Sequence, residues 1–313
     1  MTVEKIPLFI LLGPTAVGKT GVSVKIAEKL EGEIISADSM QIYKYMDIGT
    51  AKIKEEEMKD IPHYMIDIVY PDEEFTVADY KEAATEHIED IYNRGKLPMI
   101  VGGTGFYINS LVYQLSFTQV SPNYILRDKY LSLADKYGND YIYNQLKEVD
   151  PKSAKRIHKN DRKRVIRALE IYNETGKPMS DYYKDLRRPN NKYDLTLVGL
   201  SMERARLYSR INKRVELMIK EGLLGEVENL LKMGYDKSLT SMKGIGYEEV
   251  IKYFEGEISL EEAINLIKQN SRRLAKRQLT WFRRNKDIKW IDIDKFTGSY
   301  NIENDIINYV KKK

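Results

Sequence analysis

The stretch GPTAVGKT, near the start of this chain of 313 residues, has the residue types and spacing of a phosphate-binding loop. It fits the pattern G-x-x-x-x-G-K-[ST] and lies between an apolar run and an amphipathic helical pattern. Main-chain N–H groups of such a loop hold phosphate oxygens, its lysine neutralises charge, and its hydroxyl residue binds Mg²⁺. The same loop serves nucleotide hydrolysis, phosphoryl transfer and reactions in which the phosphate leaves. The residues that fit the pattern are Gly13, Gly18, Lys19 and Thr20, and those between the glycines are Pro14, Thr15, Ala16 and Val17.

Polar residues follow two further apolar runs. Asp38 comes directly after EIISA, and Thr104 lies in VGGTGFY after LPMIV. Ligands of open parallel sheets bind at the carboxyl ends of the strands, where a carboxylate can bind Mg²⁺ or act as a base. Alternatively, Asp38 caps a turn, and the glycines around Thr104 form a tight turn into a helix. The local sequence leaves both alternatives open.

A helical pattern that starts at Glu203 carries an arginine stripe. Arg206, Arg210 and Arg214 recur at intervals of four, so they stack on one face and repel one another. This arrangement favours a stripe that meets anionic oxygens. The alternative is a solvated basic face paired with Glu203 and Glu216.

The charge distribution points to a polyanionic substrate, although the formal net charge is only +4. The segment 152–168 has eight Lys or Arg residues against one acid, and the segment 271–286 has seven against none. Solvated helix faces are the alternative for either segment alone. The chain has no Cys and three scattered His residues, which excludes disulfides and disfavours a zinc enzyme. Neither a signal peptide nor a membrane span is predicted, so we expect a cytoplasmic protein.

Apolar runs that alternate with helical patterns predict an α/β fold: a parallel sheet of the P-loop NTPase type with helices on both faces. The strand signal disappears in a Tyr-rich, charged middle section and then returns. We therefore predict a discontinuous core, residues 1–115 and 195–313, interrupted by a small all-helical insertion at 116–194. The strand-like runs are PLFILL, EIISAD, HYMIDIV, LPMIV, DLTLVGL and IKWIDI.

With these motifs in hand, the sequence resembles the tRNA dimethylallyltransferase family of the bacterial type, also called tRNA isopentenyltransferases. The resemblance implies transfer of a dimethylallyl group from dimethylallyl diphosphate to N6 of the adenine immediately 3′ of a tRNA anticodon. Diphosphate would leave, and Mg²⁺ would assist. The partners would be a tRNA anticodon stem-loop and the diphosphate substrate, with no membrane and one chain acting as a monomer. The blocks that carry the resemblance are GPTAVGKT, ADSMQIYKYMDIGTAK, PHYMIDI, FTVADY, VGGTGFY, DPKSAKRIHKNDRKRVIRALEIYNETGKPMS, RINKRVELMIKEGLLGEV, MKGIGYEEV and LAKRQLTWFRR.

The resemblance also implies roles for individual residues. Thr15 to Thr20 and Arg214 would hold the diphosphate, and Asp38 would be the general base. Thr104 and Arg127 would flank the entering nucleotide. The sequence departs from the family at HKND, where the family has Pro after the His, which affects a turn. The further residues implied to contact tRNA are Ser39, Met40 and Gln41; Lys163, Arg164, Val165, Ile166 and Arg167; and Lys243, Gly244, Ile245, Gly246, Tyr247 and Glu248.

Three other functions remain as alternatives. A small-molecule or nucleotide kinase uses the same loop, Mg²⁺ and an Asp near the second strand, but leaves the basic segments unexplained. A non-catalytic RNA-binding NTPase would need a nucleotide-sensing acidic strand, which is not evident. An enzyme that prenylates free AMP would not need the basic insertion.

Overall fold

The computed structural model describes residues 5–115, 120, 122–182, 188–296 and 301–312. The chain divides into two compact units. One consists of Met1–Val112 with Asn190–Lys313, and the other is Tyr113–Pro189. Residue 116, where the sequence predicts that the insertion starts, lies outside the described residues.

The first unit is built on a six-stranded sheet in which every neighbouring pair is parallel. Its order is β3-β2-β4-β1-β5-β6, and this confirms the predicted α/β fold. Central strands of a parallel sheet are covered on both faces, which is why they read as continuous apolar runs. The strands are β1 (Ile6–Leu12), β2 (Gly32–Ala37), β3 (His63–Tyr64), β4 (Leu97–Gly102), β5 (Tyr193–Ser201) and β6 (Lys289–Asp292).

The register of the sheet brings several strand ends together. Gly102 at the end of β4 is the partner of both Leu12 in β1 and Ala37 in β2, and Leu12 also pairs with Gly199 in β5. The loops that follow β1, β2 and β4 therefore leave the sheet at one edge. This edge is where open parallel sheets bind ligands.

Helices occupy most of the remaining chain. None of those in the described residues is both long enough and apolar enough to cross a membrane. The helices are α1 (Lys19–Leu30), α2 (Glu55–Met58), α3 (Val77–Asn93), α4 (Gly105–Val112), α5 (Tyr124–Tyr137), α6 (Asn139–Val149), α7 (Pro151–Ala154), α8 (Arg162–Thr175), α9 (Met179–Tyr182), α10 (Arg204–Glu221), α11 (Leu223–Lys232), α12 (Tyr247–Phe254), α13 (Leu260–Phe282) and α14 (Ile302–Lys311).

Two apolar clusters stabilise the first unit. One packs β1, β2 and β5 against α1, α10 and α14, with Phe9, Leu11 and Ile26 among its buried members. The other joins the loop after β2 to the helices from α10 to α13, and includes Ile42 and Tyr247. Because the second cluster contains that loop, the loop is held by packing as well as by its own hydrogen bonds.

The second unit contains α5 to α9 and has its own apolar core, which includes Ile142 and Leu146. The buried Asp150 carboxylate supports its helix ends. One oxygen accepts a hydrogen bond from the Ser153 N–H at 2.9 Å, and the other accepts one from the Ser180 N–H at 2.9 Å. Such side-chain caps satisfy N–H groups that have no partner within a helix.

The third strand is shorter than the sequence indicates. HYMIDIV predicts a strand, but only His63 and Tyr64 form one. Met65 and Asp67 have φ values of +63° and +56°, in the left-handed region that a strand cannot contain. The apolar residues after Tyr64 therefore lie in a turning loop, in which Met65 is buried and Ile68 is exposed, and they do not extend β3.

Candidate active site

The loop after β1 requires glycine at two points. Gly18 precedes α1 with a φ of +104°, in the left-handed region. A Cβ at Gly13 would lie 2.8 Å from the carbonyl oxygen of Leu200 in β5. Within the described residues no side chain caps α1, and its first turn has no acidic residue. The N–H groups at the start of this helix are therefore suited to binding an anion.

Lys19 folds back over this loop. Its Nζ donates hydrogen bonds to the carbonyl oxygens of Gly13 at 3.0 Å and Pro14 at 2.9 Å. Burial of the ammonium lowers its pKa from 10.5 to about 8, while the charge of Asp38 raises the pKa and that of Arg214 lowers it. Lys19, Asp38 and Arg214 thus lie close enough to influence one another.

The arginine stripe of α10 divides into two parts. Arg206 forms an ion pair with Asp294. Arg214 is half-buried, and burial lowers its pKa. The charge of Asp38 acts in the opposite direction, and that of Arg210 adds to the decrease. A Cβ on Gly18 would lie 3.5 Å from Nη2 of Arg210, so this side chain reaches the phosphate loop.

The alternative partners for these arginines are engaged elsewhere. The Glu203 carboxylate caps α10 by accepting hydrogen bonds from the N–H groups of Ala205 and Arg206, each at 2.9 Å. Glu216 pairs with Lys268 at 2.7 Å. In the described part of the chain, neither Arg210 nor Arg214 forms an ion pair with a carboxylate. Two unpaired cations beside a phosphate loop favour an anionic ligand over a solvated face.

Asp38 leaves β2 in a turn. One oxygen of its carboxylate accepts a hydrogen bond from the Met40 N–H at 2.9 Å, as in the turn cap considered from the sequence. The other oxygen accepts no hydrogen bond from a described residue. The carboxylate is half-buried. One oxygen therefore orients Asp38, and the other is available to take a proton.

Thr104 connects the loops after β2 and β4. Its Oγ1 accepts a hydrogen bond from the Ser39 N–H at 3.0 Å and donates one to Ser39 Oγ at 3.3 Å. The N–H groups of Gly103 and Thr104 donate to the carbonyl oxygen of Ala37 at 3.2 and 2.9 Å. The structure therefore brings Asp38, Ser39 and Thr104 together, as the sequence predicts for residues around one reacting group.

The loop that follows Asp38 also holds itself in shape. Gln41 Nε2 donates hydrogen bonds to the carbonyl oxygens of Thr50 and Ala51 at 3.2 and 3.3 Å. Its Oε1 accepts a hydrogen bond from Ser36 Oγ at 3.2 Å. The Gln41 side chain is thus used within the protein, and a contact between it and tRNA would compete with these bonds.

The segment 243–248 packs directly on this loop. A Cβ on Gly49 would lie 2.5 Å from the ring of Tyr247, and one on Gly244 would lie 2.5 Å from Cε of Met40. Gly244, Gly246 and Tyr247 are buried, Ile245 is half-buried, and Lys243 and Glu248 are exposed. Two of the segments that the resemblance implies contact tRNA, 39–41 and 243–248, are therefore packed against each other.

In the second unit, Glu170 holds two of the predicted RNA-binding arginines. Its buried carboxylate accepts hydrogen bonds from Arg127 Nε at 2.8 Å and Nη2 at 3.0 Å, and it also pairs with Arg167. Burial raises the pKa of Glu170, but the hydrogen bonds from both arginines and from the Asn123 N–H outweigh burial and hold the pKa below its usual value. Glu170 is therefore a carboxylate that fixes two guanidinium groups.

The other predicted members of helix α8 divide by exposure. Lys163 and Arg164 are exposed. Val165 and Ile166 belong to the apolar core of the second unit, with 0% and 4% of their surfaces exposed. Any contact made by Val165 and Ile166 would have to involve their main chain. The side chains available for a contact with tRNA are therefore the charged ones, Lys163 and Arg164.

Gln278 was not among the predicted site residues, although it lies within the basic segment 271–286. Gln278 lies on α13, and its amide contacts both the phosphate loop and the loop after β4. The sequence around Gln278 gives little indication of a role in the site, because a single uncharged residue among Lys and Arg is common on an exposed helix face. Its partners lie 263 and 175 residues away in sequence.

The fold and the site together define a class of protein. A parallel sheet with a phosphate loop places unpaired cations beside a carboxylate with a free oxygen. Such a site can bind a diphosphate-like anion and remove a proton from a neighbouring group. The chain is therefore a phosphate-loop α/β protein equipped for catalysis.

Comparisons with known proteins identify the family. The family model described as IPP transferase matches residues 41–285. The tRNA dimethylallyltransferase of Alkaliphilus oremlandii is 53% identical over 304 residues, which cover 97% of each chain. The chain belongs to the IPP transferase family, and these relatives support the predicted prenyl transfer over the kinase alternative.

Solved structures agree in fold. The tRNA isopentenylpyrophosphate transferase of Bacillus halodurans matches with a TM-score of 0.74 and 44% identity, covering 98% of this chain and 96% of that one. A eukaryotic dimethylallyltransferase, described as acting on tRNA, matches with a TM-score of 0.83 and 31% identity, covering 99% of this chain and 80% of that one. Both are similar over nearly the whole length of this chain.

Proposed function

We propose that this protein transfers a dimethylallyl group from dimethylallyl diphosphate to N6 of the adenine immediately 3′ of a tRNA anticodon. The observation that carries the proposal is the placement of Lys19 and Arg214, two cations without a carboxylate ion pair in the described residues, beside Asp38. Its relatives' names, tRNA dimethylallyltransferase and tRNA isopentenylpyrophosphate transferase, support the choice of reaction.

The cationic side of the site would stabilise the leaving group. When the allylic C–O bond breaks, both electrons go to the diphosphate oxygen, and negative charge grows there. Lys19, Arg214 and the N–H groups at the start of α1 would offset this charge. Arg210, which reaches the loop beside Gly18, adds to the positive potential.

The carboxylate side would serve the nucleophile. The adenine amino group is a poor nucleophile because its lone pair is delocalised into the ring, so a proton must be removed as the new C–N bond forms. Asp38 would accept that proton on its free oxygen. Thr104, fixed by its hydrogen bonds with Ser39, would orient the amine. The adenine must first leave its stack, which costs a few kcal/mol.

The residues present also fit a magnesium ion held mainly by substrate. In the described residues no group of three or more His, Asp or Glu side chains could hold a metal by itself. Thr20 lies in the first turn of α1, and its hydroxyl has no hydrogen bond to a described residue. Mg²⁺ typically takes few protein ligands, several waters and phosphate oxygens, so Thr20 would be its protein ligand. The ion would supply further charge neutralisation at the diphosphate.

The tRNA would be bound through its backbone and through the extruded base. We propose contacts in the first unit by the surface that joins Ser39 and Met40 to Lys243 and Glu248. In the second unit we propose contacts by Lys163, Arg164 and Arg167, with Arg127 near the nucleotide. The protein would act as a monomer in the cytoplasm, and light scattering of the purified chain would test the first of these statements.

The direct test uses purified protein, Mg²⁺, dimethylallyl diphosphate and an unmodified tRNA with an adenine 3′ of its anticodon. Mass spectrometry of the nucleosides should show a gain of one C₅H₈ unit on that adenosine. Asp38→Asn should reduce the rate by about 10²- to 10⁴-fold, because it removes the base but keeps the shape. Asp72→Asn, which changes an exposed carboxylate, should leave the rate unchanged.

The same reaction with ATP in place of dimethylallyl diphosphate is the counter-test. Phosphate transfer from ATP, without any C₅H₈ gain in the first reaction, would contradict the proposal. If Asp38→Asn and Asp72→Asn transfer the prenyl group at equal rates, the proposed reaction would stand, but Asp38 would not be its general base.

A further inference from the structure

Gln278 bridges the two sides of the proposed site. Its Oε1 accepts a hydrogen bond from the Thr15 N–H in the phosphate loop at 2.8 Å. Its Nε2 donates a hydrogen bond to the carbonyl oxygen of Gly103, in the loop after β4, at 3.1 Å. The side chain is half-buried and uses both ends of its amide. One residue of α13 is therefore bonded to both of the loops around the reacting groups.

The glycines after β4 make room for this helix. A Cβ on Gly103 would lie 2.4 Å from Nε2 of Gln278, and one on Gly105 would lie 2.3 Å from Cδ1 of Trp281. Gln278 and Trp281 are three residues apart and thus share one face of α13. In the structure, Gly103 and Gly105 are therefore points of close approach to α13.

The contact continues by hydrogen bonds to the two chain neighbours of Asp38. From Gly103 the chain passes to Thr104, whose N–H donates to Ala37 and whose hydroxyl binds Ser39. Ser39 directly follows Asp38 in the chain. A displacement of the Gly103 carbonyl would thus move Thr104 and the turn that holds the Asp38 carboxylate.

The other end of the amide shapes the phosphate loop. The Thr15 N–H is bonded to Gln278, and the Val17 N–H donates to the carbonyl oxygen of Pro14 at 3.4 Å. In the described loop, the main-chain donors left for an anion are therefore those of Ala16 and Gly18, followed by those at the start of α1. Gln278 thereby removes the Thr15 N–H from the donors that can bind the diphosphate. Gln278 also holds the phosphate loop close to the Gly103 backbone, which directly precedes Thr104.

We propose that Gln278 is a positioning residue that sets the distance between the bound diphosphate and the Asp38–Thr104 pair. This inference rests on the proposed function, because in that reaction the diphosphate and the amine held by Asp38 and Thr104 must both lie next to one allylic carbon. Gln278 acts through Thr15 and Gly103 and touches neither substrate. A misplacement of about 1 Å between reacting groups can cost about 10²-fold in rate.

The test compares Gln278→Met with Gln269→Met. Methionine matches glutamine in length but removes both hydrogen bonds, and Gln269 is an exposed residue of the same helix. Gln278→Met should lower kcat roughly 10- to 100-fold, with a much smaller change in the KM for tRNA. Gln269→Met should keep both values. A similar melting temperature for the two variants would show that the loss is not one of folding.

Peptide-resolved hydrogen exchange provides a readout that does not depend on catalysis. In Gln278→Met, the peptides that contain residues 13–18 and 102–106 should both exchange faster than in Gln269→Met. Wild-type exchange in both peptides, or a kcat equal to that of Gln269→Met, would overturn the inference. Absence of prenyl transfer by the wild-type protein would instead overturn the proposed function, while hydrogen exchange would still show whether the bridge exists.

Discussion

Lys19 carries a positive charge that burial disfavours. Its ammonium lies near the opposite charge of Asp38 and the like charge of Arg214, and it donates hydrogen bonds to the carbonyl oxygens of Gly13 and Pro14. A bound diphosphate would add negative charge beside both cations. An anion bound there should therefore raise the pKa of Lys19.

We predict that the affinity for inorganic diphosphate falls above about pH 8. Below this pH the Lys19 ammonium is charged, whereas above it Lys19 loses its proton when no diphosphate is bound. Each binding event must then recover the proton, so the affinity should fall by up to about tenfold per pH unit above pH 8. Titration calorimetry from pH 7 to pH 9.5 measures this.

Lys19→Arg is the matched control, because a guanidinium keeps its charge over the whole range. Diphosphate itself also changes its ionisation over this pH range, and this affects both proteins equally. The ratio of the wild-type affinity to the Lys19→Arg affinity therefore reports on Lys19 alone. The ratio should decrease with rising pH. A constant ratio would show that Lys19 does not lose its proton in this range.

At the scale of elements, Glu226 of α11 fastens the loop after β2. Its Oε2 accepts hydrogen bonds from the N–H groups of Asp47 at 2.9 Å and Ile48 at 2.7 Å. Its Oε1 accepts them from the Gly49 N–H at 3.0 Å and the Tyr247 hydroxyl at 2.6 Å. Burial, together with the Glu226 charge, raises the pKa of Tyr247, which therefore remains a donor. One carboxylate thus joins α11, α12 and the loop that starts at Asp38.

Glu226→Gln should weaken this junction. The amide would place N–H donors against other N–H donors, so the free energy of unfolding should fall by about 1–3 kcal/mol. The KM for tRNA should rise, while the affinity for inorganic diphosphate should stay constant because the phosphate loop is not involved. Urea unfolding and steady-state kinetics measure these effects.

Glu228→Gln is the control for this change. Glu228 lies on the same helix, is exposed and pairs with Lys232. It should alter stability by less than about 0.5 kcal/mol. Equal effects of the two substitutions on tRNA binding would contradict the role of Glu226.

At the scale of the whole molecule, the two basic segments differ in how their charge is used. In 152–168, Lys159 pairs with Asp140 at 2.9 Å and Arg162 with Asp135 at 2.6 Å. In 271–286, Arg272 donates a hydrogen bond to the neutral side chain of Asn212 at 2.6 Å. Within the described chain, the exposed Lys276 and Arg277 have no carboxylate partner. The second segment therefore keeps more of its charge available for a polyanion.

A double substitution of Lys276 and Arg277 by Gln tests this difference. Each lost phosphate contact should lower the slope of log affinity against log salt by about 0.7–0.9, so the double variant should lose about 1.5. Lys232→Gln with Lys237→Gln is the charge-matched control, because Glu228 and Glu255 already pair with those lysines. Fluorescence anisotropy of a labelled anticodon stem-loop measures the slopes, and identical slopes would contradict the assignment.

The sequence by itself determined the elements whose signals are local. The glycine pattern and its flanking periodicity predicted β1 and α1, and both elements are confirmed. A helix was expected to start at Glu203, and α10 runs over Arg204–Glu221 with Glu203 as its cap. Caps, turns and apolar periodicity act over a few residues, so a single sequence contains the information.

The tertiary structure decided what depends on residues far apart in the chain. Arg206 and Arg214 have the same local pattern, yet one pairs with Asp294 and the other lies buried near Asp38. Gln278 gains its role from partners in two distant loops. Neither outcome has a local signal, because the order of parallel strands and the packing of α10 and α13 on their ends determine which side chains meet.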